Sequence, residues 1–272
     1  MKAGANLNAR NRKGETPLFN AIRTASDDIV RKMIEQGADA LARNLDGDTV
    51  LNQTNRDLTD AKIKALKTAG LNLNERGGKY SSPALHYAVT EGLDKTILAL
   101  FANGARSDAT DADGEAAITN VCNSRDEAKN TSTLRILLNQ SPSSARHTPR
   151  RGVGVIDKCQ GNLEALKLLV AEGADVNAKS TYWLNENTAL HQAAEFRFLK
   201  GAENLIAAGA DVNSRNKYGQ TPLMLAVVGV ASGTSPPRCQ TAFGEYRRRR
   251  LQRSVRTPEN ECAQLLFRFR SH

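Results

Sequence analysis

Gly173-Ala174-Asp175-Val176-Asn177-Ala178 returns 36 residues later as Gly209-Ala210-Asp211-Val212-Asn213-Ser214. Weaker copies run back toward the N-terminus at Gly104-Ala105, Gly70-Leu71, Gly37-Ala38 and Gly4-Ala5, in steps of 34, 33 and 33. The step of 69 between Gly104 and Gly173 hides one degenerate copy near Ser141. A second marker keeps the same period out of phase with the first: Thr16-Pro17-Leu18, Thr49-Val50-Leu51, Pro83-Ala84-Leu85-His86, Ala116-Ala117-Ile118, Thr188-Ala189-Leu190-His191 and Thr221-Pro222-Leu223. Its one long step, 72, hides a copy near Gly152. Two independent markers sharing one period define a tandem repeat.

Each unit reads as two short helices and a turn. Thr16 is placed as an N-cap, with Pro17 at the first helical position, where its missing N–H costs nothing. Leu18, Ala21 and Ile22 then share one helix face, and Ile29 to Ile34 repeats the apolar spacing in a second helix. Gly37 ends that helix as a residue able to take positive φ, and Asn44 with Asp46-Gly47 suits a tight hairpin. One such unit cannot bury its apolar face alone, so neighbours must stack.

Thr-Pro-Leu-His at the opening and Gly-Ala-Asp-Val-Asn-Ala at the close resemble the ankyrin repeat family, over nearly the whole chain. The resemblance implies an all-α solenoid of helix-turn-helix units with β-hairpin-like turns. It also implies that the hairpin tips and the exposed side of each first helix form a concave binding face.

Departures from the period divide the chain. Residues 1–10 match only the closing part of a unit, which predicts a fragment or a start lying upstream. Residues 11–228 hold about six units, of which the one near 142–180 is degenerate. Residues 229–257 form a basic insert in the last unit, and 258–272 supply its closing helix. From helix start to closing Gly most copies span 21 residues, but 116 to 141 spans 25, with the surplus around Arg125–Asn130. The glycines and missing signature of Arg146 to Gly154 predict a lost first-helix turn.

The bulk chemistry narrows the function classes. With 5% aromatic residues the chain favours close-packed helices over a β-sandwich. No stretch approaches the roughly 18 apolar residues of a membrane span, and the N-terminus lacks the apolar core of a signal peptide, so the expectation is a soluble, cytoplasmic monomer. Cys122, Cys159, Cys239 and Cys262 form no CxxC pair; reduced thiols are expected, with a Cys122–Cys159 bridge as the alternative. The net charge is +9, and Arg238 to the end carries nine Arg against three Glu, or +6, leaving a nearly balanced body.

Candidate residues follow from these positions. Tyr182, Trp183 and Leu184 occupy a hairpin lengthened by three residues, where an aromatic pair could anchor a partner. Asn20, Arg23, Tyr87, Thr90, Glu91, Asn120, Gln192, Glu195 and Phe196 fall on the first-helix groove face, and their mixed polarity suits a protein partner. Arg247, Arg248, Arg249, Arg250 and Arg253 form a basic patch that offers the alternative, nucleic acid or another acidic surface. His86 and His191 read as turn-tying residues, Gly152-Val153-Gly154 lacks the Lys-Ser or Lys-Thr of a phosphate loop, and no grouping suggests catalysis, a metal or a cofactor. The expectation is a non-catalytic binding scaffold.

Overall fold

The computed structural model describes residues 4–52, 58–78, 81–123, 126–146, 154–180 and 185–228. The chain divides into two compact units, residues 1–151 and 152–272. The basic insert and the closing helix read from the sequence at 229–272 lie outside the described residues.

In the first unit the helices are α1 (Pro17–Thr24), α2 (Asp27–Glu35), α3 (Asp60–Thr68), α4 (Ala84–Glu91), α5 (Asp94–Ala102) and α6 (Glu127–Gln140), with 3-10 turns at Ala117–Asn120 and Pro142–Arg146. The second unit carries α7 (Val155–Lys158), α8 (Leu163–Ala171), α9 (Ala189–Glu195), α10 (Leu199–Ala207) and α11 (Pro222–Val228). The described residues contain no β-strand, only isolated bridges at Gly77–Ser82 and Thr110–Ala116 in the hairpin-like turns. This is the all-α repeat architecture that the periodicity predicts.

The repeat period reappears as a repeated end to the second helix. Gly37, Gly70, Gly104, Gly173 and Gly209 take φ between 86° and 96°. One residue further on, a backbone N–H reaches back to the carbonyl four residues before the glycine: Ala38 to Met33, Leu71 to Leu66, Ala105 to Leu100, Ala174 to Leu169 and Ala210 to Leu205, at 2.9–3.1 Å. This six-to-one bond satisfies a helix-end carbonyl that would otherwise be left over. Leu66, Leu100, Leu169 and Leu205 are fully buried, so the residue that closes the helix also fills the core. Each such leucine contributes about 1.5–3 kcal/mol by leaving water.

Polar side chains join one repeat to the next. Asn8, Asn74 and Asn177 each accept from the backbone N–H of the following unit, at Asp39, Arg106 and Asp211, all at 2.8 Å. Hairpin backbones also pair, Leu45 N to Lys13 O and Gly78 N to Gly47 O in the first unit, and Lys217 N to Asn185 O in the second. These bonds hold the hairpin of each repeat in register with the next.

Three local features differ from expectation. Thr16 stands at the N-cap of α1 with Pro17 behind it, but its buried hydroxyl makes no cap bond. Where the Thr188 hydroxyl meets a ring nitrogen of His191, Thr16 has only the apolar Phe19 at the matching position. At Thr49 the described chain forms a turn over residues 50–52 instead of a helix, with the Thr49 hydroxyl donating to Asn52 Oδ1 at 2.7 Å. Cys122 and Cys159 are both disulfide-bonded, which corrects the expectation of reduced thiols. The four surplus residues after Ala116 are absorbed by α6, which is 14 residues long where α2, α3, α5, α8 and α10 have 9.

Candidate functional site

The two histidines that open helices face inward. His191 is wholly buried. Its Nδ1 accepts from the Thr188 N–H at 3.2 Å and lies 2.8 Å from the Thr188 hydroxyl, while Nε2 lies 2.9 Å from the Gln220 carbonyl of the next repeat. An accepting Nδ1 leaves the proton on Nε2, which therefore donates to Gln220. Burial holds the imidazole below its ordinary pKa, in keeping with that neutral tautomer. His86 Nε2 makes the same reach to Glu115 O at 2.9 Å, and Asn52 reproduces it with its amide, donating to Ser82 O at 3.2 Å. These residues tie repeats together and are not presented to a ligand.

What remains outward is the other side of each first helix. In the first unit Asn20, Thr90 and Glu91 are exposed, and Arg23 donates to Asn20 Oδ1 at 2.9 Å across one helical turn. Tyr87 is half-buried, its hydroxyl 3.3 Å from the Gly77 carbonyl, and Asn120 lies in the 3-10 turn, accepting from Asn123. In the second unit Gln192, Glu195 and Phe196 follow one another along α9 and its C-cap, and Phe196 is 41% exposed. These candidate residues lie at exposed or half-buried positions, within each unit. Tyr182, Trp183, Leu184 and the patch Arg247–Arg250 with Arg253 lie outside the described residues.

The structure adds residues that the sequence reading missed. Asp157 on α7 accepts from the Gln160 amide at 2.8 Å. With its amide nitrogen turned toward Asp157, the orientation that satisfies both of its ends, Gln192 donates to Oδ1 at 2.8 Å and to Oδ2 at 3.2 Å. Burial pushes Asp157 up to about 7, offset in part by the charge of Lys158, and burial alone raises Glu195. Neither carboxylate forms an ion pair among the described residues. Exposed Tyr218 and Met224, at 69% and 47%, add apolar surface from the next hairpin and from α11. Asp157 sits in the degenerate opening of its repeat, where no motif marks it; the only signal is an acid inside Val155-Ile156-Asp157, an otherwise apolar helix start. The described residues hold no group of three or more His, Cys, Asp or Glu placed to bind a metal, and no helix long and apolar enough to cross a membrane.

Residues 13–45 match the model of the ankyrin repeat, and residues 155–232 match the model of three ankyrin repeats in tandem. The chain is similar to the B-cell lymphoma 3 protein homolog of Mus musculus, 27% identical over 224 residues. That alignment covers 81% of this chain and 41% of the relative, so the chain spans well under half of that protein's length. Among solved structures it resembles the ankyrin repeat domain of Bcl-3, described there as a unique member of the IkappaB protein family. The TM-score is 0.62 and the identity 22%, covering 79% of this chain and 95% of that one. At that identity the likeness concerns the fold.

Proposed function

We propose, from the premise that this chain belongs to the ankyrin repeat family, that it is a non-catalytic scaffold binding a partner protein through the outward faces of its first helices and its hairpin tips. Ankyrin repeats generally mediate protein–protein interaction, which gives the class of function; the surface is our inference. One observation supports it most directly. The polar groups at the repeat joints are consumed internally by His86, His191 and Asn52. Arg23, Glu91, Glu195 and Phe196 have no such joining bond and stand at the surface or half-way to it. Side chains that the stack does not need are available to a partner, and an exposed aromatic among polar neighbours has the character of an interface anchor.

The test is affinity capture with the full chain, comparing wild type with Phe196→Ala, Tyr182→Ala/Trp183→Ala and a variant lacking residues 238–257. The expected result is one protein captured by wild type and reduced at least about tenfold by Phe196→Ala or by the aromatic double variant, with unchanged circular dichroism. Capture indifferent to both would overturn the groove reading. The alternative, an acidic surface or nucleic acid held by Arg247–Arg250, rests on the charge of that run. It predicts binding that falls steeply with salt and disappears with residues 238–257.

A further inference from the structure

Ser141 departs from the repeat in two ways. The closing position held by Gly37, Gly70, Gly104, Gly173 and Gly209 falls here on a serine, and a proline follows it. Thr16-Pro17, Ser82-Pro83 and Thr221-Pro222 belong to the helix-opening signature, so the repeat pattern accounts for those pairs and not for Ser141-Pro142. Three residues after Gly104, where Ala40, Leu73 and Val176 are buried apolar plugs after their own glycines, stands Ser107. The two serines meet: the Ser107 hydroxyl donates to Ser141 Oγ at 2.8 Å and joins one repeat to the next. Ser141 has left α6, at φ −152° and ψ 83°, since proline disfavours the helical region for the residue before it. It is half-buried, whereas Thr16 and Ser82 are only 4% and 6% exposed. Thr221 is occupied in accepting from the Met224 N–H of its own helix.

We propose that Ser141 is a phosphorylation site for a proline-directed protein kinase, and that the phosphate opens the Ser107–Ser141 joint. In the transfer, Ser141 Oγ attacks the γ-phosphorus of ATP. The Oγ–P bond forms as the bond from that phosphorus to the β,γ-bridging oxygen breaks; ADP departs with the electron pair, and the hydroxyl proton passes to a base of the kinase. The product carries a charge of about −1.5 to −2 at pH 7. It stands at the C-terminal, negative end of α6, whose last turn holds no basic residue. Arg106, beside Ser107 in the sequence, is already held by both carboxylate oxygens of Asp108, at 2.9 and 2.8 Å. A phosphoryl group on Oγ also crowds the Ser107 hydroxyl, which lies 2.8 Å from that atom. Repulsion at the helix end and crowding at the joint act together, so the last turn of α6 loosens from the repeat before it. The joint lies wholly within the first unit, and the proposal does not rest on the scaffold reading.

The test uses the intact chain, a recombinant proline-directed kinase and ATP with magnesium, with the phosphate located by peptide mass mapping. We expect Ser141 to be modified in wild type and unchanged in rate in Ser143→Ala. Modification should be at least about tenfold slower in Pro142→Ala, because a kinase pocket shaped for proline loses its contact. Ser107→Ala releases the Ser141 hydroxyl and should be phosphorylated several-fold faster, a gain that a motif read without regard to the fold would not show. On phosphorylation, amide hydrogen exchange at residues 137–141 should quicken about tenfold, as a hydrogen bond and a favourable helix end are lost, while α2 and α3 keep their rates. Absence of phosphate on Ser141, no gain in Ser107→Ala, or unchanged exchange at residues 137–141 would each overturn the proposal.

Discussion

The repeat opening at Thr188 and the one before it, whose first helix is α7, sit side by side in one unit and handle their polar groups in opposite ways. In the first, Thr188 and His191 form a reciprocal capping box, and the ring passes the connection on to Gln220. In the second, α7 has four residues, its N-cap is Gly154 with no side chain to offer, and Asp157 is left among amides. The second helices nevertheless match: α8 and α10 are both nine residues long and both end on the same glycine geometry. The second helix thus keeps its length and its ending in both repeats, while the first helix can shorten locally.

The most damaging way to break this contrast is to remove the ring from the regular repeat. His191→Ala strands the Gln220 carbonyl and the Thr188 N–H in a dry site and should cost about 3 kcal/mol. Asp157→Ala, a comparable truncation in the degenerate repeat, should cost under about 1 kcal/mol, because it also removes a poorly compensated charge. Urea titrations of the two variants beside wild type measure both. Equal losses would mean that α7 carries as much of the stack as α9 does.

The residues themselves explain what was legible beforehand. The closing glycines, the turn-tying histidines and the place of the surplus at α6 were readable because each is measured against backbone geometry that repeats every 33 or so residues. The outward positions on α9 were readable for the same reason, as the complement of the buried face. The missing cap at Thr16 was not, since Thr before Pro carries the usual cap signature and Thr59 and Thr188 do cap their helices. Asp157 was not, because its significance comes from Gln192, 35 residues away in the sequence, and long-range pairing leaves no periodic trace where the motif is lost.

The glycine geometry gives a sharper test of the shared element. Gly209 has φ +95° and open space where a Cβ would stand, so a side chain there meets backbone strain without a steric clash. Gly209→Val should cost about 1.5 kcal/mol, read as a lower denaturation midpoint with an unchanged slope. No change in midpoint would separate the helix ending from the stability of the stack.

The smallest effect is the most specific to the degenerate repeat. Asp157 titrates near 7 in the folded chain against an ordinary value of 3.8, so the folded state holds its proton more tightly than the unfolded chain does. The stability it contributes is complete below pH 3.8 and is lost as pH rises through 7. His191 acts in the opposite sense: lowered by burial, it contributes stability above its ordinary value of 6.5 that is lost as pH falls through its depressed folded value. Asp157→Asn removes the first dependence and keeps the second. Between pH 4.5 and 7.5 the melting temperature of wild type should therefore decline relative to that of Asp157→Asn, by an amount equivalent to about 1 kcal/mol once solvent screening of a half-buried group is allowed for. Parallel curves would mean that the amides of Gln160 and Gln192 already compensate the carboxylate in full. Asp157 would then belong to the internal bonding of the stack, and the two repeats would differ in length but not in kind.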